Sequence, residues 1–132
     1  MSARTWLRGG LAFLGAAQFG VGCWALLLPA SFFAIPWVGM RMPYNVHLVM
    51  DYGAMSLATS VALGVSAFIV RRSMVRTALA VYLTFAVPHL AIHLRLLHHL
   101  TPGERVPLVV GLSAAVAIPL VLWALTTRLE ET

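Results

Sequence analysis

The sequence predicts an all-α fold, an up-down bundle of four helices that cross a membrane. Three observations predict it. The chain of 132 residues is 61% hydrophobic and 10% charged, whereas soluble domains are roughly half apolar and about a quarter charged. Its apolar residues fall into four runs of about 20 residues each, the length needed to cross a bilayer as a helix. No run alternates polar with apolar residues as a membrane strand would, and backbone groups in lipid must be satisfied within the segment, so helices are the spanning form.

The first span is expected at 6–28. It follows a basic start that includes Arg4 and Arg8. Its apolar run, Gly9 to Leu28, is longer than a cleaved signal core of roughly 7–15 residues, so an uncleaved helix is expected. The connection 29–46 sets Phe32, Phe33, Trp37 and Tyr44 among Pro29, Pro36 and Pro43, a composition that predicts an interfacial segment at headgroup level. The second span is expected at 48–70 and the third at 74–97. The short basic turn around Arg71-Arg72-Ser73 makes them an antiparallel hairpin. Thr101, Pro102 and Glu104 have the spacing of a helix start, with N-cap hydroxyl, proline at N1 and a carboxylate at N3, placing the fourth span at 105–126. The tail, Thr127 to Thr132, is polar. The chain reads as a single domain.

Small-residue stripes suggest where helices touch, since small side chains let backbones approach in lipid. Ala12, Ala16 and Gly20 form one on the first span, and Ser56, Ser60 and Gly64 one on the second. Pro88 interrupts the third span and removes the hydrogen bond to the Thr84 carbonyl. Pro119 has no polar neighbour and reads as structural.

Arginine placement sets orientation. With the N-terminus inside, the inner side holds Arg4, Arg8, Arg71, Arg72, Arg76 and Arg128, and the outer side Arg41, Arg95 and Arg105. Both termini are therefore expected in the cytoplasm. The net charge of +5 is spread over the gaps between apolar runs, which points to lipid phosphates and away from nucleic acid. Cys23 is the only cysteine, which excludes an internal disulfide, a CxxC pair and a thiolate metal cage, and reads as a packed thiol.

Ionisable residues in a span are costly and mark candidate sites. His47 and Asp51 are four residues apart at the start of the second span, and His89 and His93 four apart in the third, so each pair shares a helix face. Counted from the hairpin tip, Asp51 and His93 are at one depth, with His89 about one turn deeper and His47 about one turn higher. His98 and His99 point away and read as interfacial, and Arg95 as a snorkelling cation.

Four readings compete for the cluster. As a metal site, His47, Asp51, His89 and His93 supply nitrogens and an oxygen suited to zinc, iron or copper, oriented by Tyr44, Asn45 or Tyr52 behind them. As a haem site, His47 faces His89 or His93, a reading that the Asp51 carboxylate and the bundle's small size disfavour. As an acid–base enzyme acting on an apolar lipid or quinone, Asp51 orients His93, the proton carrier, with Tyr44 or Tyr52 as auxiliary donor. As a structural network, the same groups only fix helix packing.

The stretch Pro43 to Ala54 (Pro-Tyr-Asn-Val-His-Leu-Val-Met-Asp-Tyr-Gly-Ala), followed by Val87-Pro-His-Leu-Ala-Ile-His-Leu94, resembles a group of small bacterial membrane proteins, the DoxX-like four-helix proteins, mostly of unknown function. The resemblance covers the whole chain in layout and implies a compact, multi-pass protein of the bacterial inner membrane. Some such proteins are associated with quinol oxidation or thiol redox work, and a lone cysteine leaves thiol exchange out. The expected function is thus a membrane protein whose His/Asp site near the outer face binds a metal or a small apolar ligand through His47, Asp51, His89, His93, Tyr44, Asn45 and Tyr52. The alternatives are an accessory subunit of a membrane complex, with a protein partner or a second copy beside the lipid, and a small lipid- or quinone-modifying enzyme using Asp51 and His93.

Overall fold

The structure, a computed structural model, describes residues 2–129. Residues 130–132 of the polar tail lie outside the described residues, and its start, Thr126 to Arg128, forms a 3-10 turn. Four long helices dominate: α1 (Ala3–Leu27), α4 (Val46–Ile69), α5 (Arg72–Arg95) and α6 (Pro102–Leu125), with two short ones between the first pair, α2 (Pro29–Phe33) and α3 (Pro36–Gly39). Among the described residues there is no strand. Each long helix lies within three residues of the span expected from hydropathy, and each is long and apolar enough to cross a membrane.

The helices pack in an up-down ring, α1 against α4, α4 against α5, α5 against α6 and α6 back on α1. Their surface is inverted relative to a soluble bundle. Phe68 is 86% exposed and Leu27 71%, while Ser56, Ser60, Ser66 and Thr126 are buried. Such a surface requires an apolar solvent. The protein is an integral membrane four-helix bundle.

The closest approach is between α1 and α4. Gly22 and Gly53 face each other there, and a Cβ built on Gly53 would stand 2.6 Å from the Leu26 nitrogen and 2.9 Å from the Gly22 carbonyl. Gly15 meets the Gly64 and Ser60 backbone further along. Ser56 and Ser60 are buried as the second-span stripe predicts. The first-span stripe is not at this contact: Ala12, Ala16 and Gly20 are exposed, and α1 turns Leu7, Leu11, Leu14, Gly15, Gly22 and Ala25 inward instead.

Helix ends are closed by side chains. Thr101 and Glu104 form the expected capping box, with the Thr101 N–H donating to Glu104 Oε2 at 2.8 Å. At α4 the Asn45 side chain accepts from the Leu48 N–H at 3.2 Å. The other end of α4 closes on Val70, left-handed at φ 44° and 1% exposed, a conformation costly for a β-branched residue and held here by complete burial.

Arginines serve the helix C-termini. Arg8 donates to the Ala67 carbonyl (3.1 Å) and the Phe68 carbonyl (3.4 Å). Arg72 donates to the carbonyls of Thr126 (3.1 Å), Thr127 (3.4 Å) and Leu129. Arg76 donates to the Thr126 hydroxyl at 2.9 Å and lies 5.8 Å over the Trp123 ring. At the opposite end Arg41 grips both Glu104 oxygens, at 3.0 and 2.9 Å, and the His99 carbonyl. Several cations that composition assigns to lipid phosphates therefore saturate carbonyls left without intrahelical partners.

The connection 29–46 is more structured than an interfacial loop. Pro29 and Pro36 each start a short helix at N1. Phe32 is buried in the bundle, while Trp37 and Tyr44 stay exposed as headgroup-level aromatics would.

Candidate functional site

Side-chain direction on α4 follows from its contact with α1. Gly53 and Ser60 turn toward α1, which swings Tyr52 toward α5. Asp51, about 100° further round, is left outside. On α5, Phe85, His89 and His93 recur every four residues and form one ridge.

These two faces meet. The His89 ring lies 4.8 Å from Phe85 and 6.0 Å from Tyr52, near-parallel to both at 26° and 17°. His93 stands edge-on to His89 at 4.4 Å. Tyr52 continues the series on its other side, stacked on Phe32 at 5.9 Å and 19°, with Trp24 edge-on to Phe32 at 5.7 Å. Rings from α1, α2, α4 and α5 thus form one continuous series, Trp24–Phe32–Tyr52–His89–His93, with Phe85 beside its centre. Offset and edge-to-face pairs at such spacings each contribute about 0.5–1.5 kcal/mol beyond area burial.

The site differs from the cluster expected from spacing. His47 and Asp51 bond each other, Nδ1 to Oδ2 at 2.9 Å, with side chains 82% and 66% exposed. This is an i, i+4 pair on one helix, so Asp51 does not orient His93. His47 does not face His89 or His93, which removes the two-histidine haem arrangement. The Asn45 side chain is used as a helix cap and Tyr44 packs 5.2 Å from Phe33, so neither stands behind the histidines. Among the described residues, no group of three or more His, Cys, Asp and Glu is gathered that could hold a metal. His89 and His93 offer two nitrogens where a protein zinc site uses three or four ligands. The donor set therefore does not fit the metal reading.

What the structure does bring together is His89, His93 and Tyr52. Phe85, Phe32 and Trp24 are the members that spacing overlooks. Phe85 was accessible to the same i, i+4 rule that pairs the histidines, whereas Phe32 and Trp24 reach the site through tertiary packing alone. His93 Nδ1 is buried without a hydrogen-bond partner in the protein, as is His99 Nδ1. A buried polar atom left unpaired costs about 1–3 kcal/mol. A neutral imidazole nitrogen can donate or accept, so such an atom beside stacked rings can complete a polar group on a flat apolar molecule.

Fold and site together define a class: a small multi-pass membrane bundle carrying a histidine–aromatic face between α4 and α5. Comparison with protein families, characterised proteins and solved structures finds no match for the chain.

Proposed function

We propose that this protein is a multi-pass protein of the bacterial inner membrane, both termini cytoplasmic, that binds a small flat apolar ligand of the quinone class on the His89–His93–Tyr52 face. The six arginines at the end bearing both termini, against three at the other, support the orientation. The DoxX-like resemblance of the Pro43–Ala54 and Val87–Leu94 stretches is consistent with the same setting.

One observation carries the ligand reading: an unpaired, buried His93 Nδ1 at the end of a stacked ring series. A quinone supplies the partner this face lacks, a carbonyl to accept from an imidazole N–H, on a flat ring suited to aromatic neighbours. Entry is from the lipid, since Ile92 and Leu94 beside the pair are exposed on the bundle surface.

Trp24 provides the test. In a variant with Trp6, Trp37 and Trp123 replaced by Phe, a benzoquinone with a ten-carbon tail is expected to quench Trp24 saturably. His93→Ala weakens the binding about tenfold, the loss of one buried hydrogen bond. Asp51→Asn leaves it unchanged, because that carboxylate belongs to the exposed His47 pair. Quenching that rises without saturation, or equal affinity in His93→Ala, refutes the reading.

A further inference from the structure

A second feature lies away from the histidines. Near the end of the bundle that carries both termini, α1 and α4 border an open groove of about 550 Å³. Ala12, Ala16, Phe19, Val61, Gly64 and Phe68 line it, with Arg8 at its terminal end. Of its two polar residues, Ser60 spends its hydroxyl on the Leu57 carbonyl at 2.7 Å, so the lining makes no polar demand except at Arg8. Arg8 uses Nε and Nη2 on the Ala67 and Phe68 carbonyls. Its Nη1 meets no protein acceptor among the described residues, and Arg4, one turn away on the same face, is exposed.

We infer that this groove seats one acyl chain of an anionic phospholipid whose phosphate lies against Arg8 and Arg4. Two matches support that occupant. Arg8 to Phe19 spans roughly 16 Å of helix, about half the roughly 30 Å hydrocarbon thickness and so one leaflet's chain. The charge at the groove's end is complementary to an anionic headgroup, and the cytoplasmic leaflet, which the six-to-three arginine asymmetry assigns to this end, is the anionic one. The exposed first-span stripe, Ala12 and Ala16, then has a role: small side chains leave depth for a lipid chain.

Delipidated protein in detergent, offered dioleoyl phosphatidylglycerol or dioleoyl phosphatidylcholine and read by native mass spectrometry, tests this. One phosphatidylglycerol is expected to be retained in preference to phosphatidylcholine. Ala16→Leu with Gly64→Leu fills the groove from its open side, where a Cβ at Gly64 meets nothing within 4 Å, and the variant is expected to keep its wild-type melting curve in lipid-free detergent. It is expected to lower retention about tenfold. Arg4→Gln lowers the preference for phosphatidylglycerol about fivefold, the effect of one surface cation, and Arg8→Lys preserves it. Equal retention of the two lipids by the wild type overturns the inference, as does undiminished retention in the filled variant. If filling converts a dimer to a monomer without changing lipid retention, a second copy occupies the groove and the lipid assignment is wrong.

Discussion

Gly53→Ala is expected to destabilise the protein by about 1–3 kcal/mol, the usual effect of forcing a methyl group into a packed contact. The new Cβ would stand 2.6 Å from the Leu26 nitrogen and 2.9 Å from the Gly22 oxygen. Both are backbone atoms of α1, so no side chain can rotate away, and the two helices must separate along their most extensive contact. Gly20→Ala and Gly64→Ala place their methyl groups in open space and are expected to shift stability by less than about 0.5 kcal/mol. Unfolding in mixed micelles with rising dodecyl sulfate separates the cases. Equal midpoints for Gly53→Ala and Gly64→Ala would contradict the α1–α4 packing.

Arg72→Ala should be comparably damaging. The guanidinium at the start of α5 donates to the carbonyls of Thr126, Thr127 and Leu129 beyond the end of α6, tying the hairpin to the last helix. Hydrogen bonds to a charged donor contribute about 1.5–3 kcal/mol, and the freed carbonyls sit beside the fully buried Thr126. Lysine cannot replace the fork, because one ammonium cannot hold the spread of acceptors that a planar guanidinium holds. Arg72→Lys is accordingly expected to recover less than half of the loss. Hydrogen exchange should show the amides around 126–129 accelerated in Arg72→Ala and those of α4 unchanged. Wild-type protection at 126–129 would mean that these bonds do not fix the end of α6.

The spans were legible because the length of a hydrophobic run is a direct physical requirement of the bilayer. So was the α6 start, where Thr101, Pro102 and Glu104 satisfy local backbone groups whatever the rest of the chain does. The rotation of each helix about its axis was not. In a soluble bundle the polar face looks out and fixes the rotation, but here interior and solvent are both apolar, so Phe68 and Leu63 carry the same signal while one is exposed and the other buried. Asp51 shows the consequence. Its depth on the helix follows from residue count, yet its direction is set by Gly53 packing on Gly22, and that leaves the face it shares with His47 outside and brings Tyr52 to His89. The first-span stripe shows it again. Ala12, Ala16 and Gly20 look as suited to packing as Gly15 and Gly22, and only the partner helix decides between them. The histidine pair on α5 was found because its i, i+4 spacing is internal to one helix. Its neighbours Phe32 and Trp24, brought by other helices, could not be.

The most direct measurement of the ligand face is photo-crosslinking with an azido-benzoquinone in native membranes, followed by peptide mapping. Labelling confined to the segments bearing Tyr52, Phe85, His89 and His93, and competed by unlabelled quinone, is the expected result. Labels spread over the lipid-exposed residues of all four helices, or gathered along the Ala16–Gly64 groove, would contradict it.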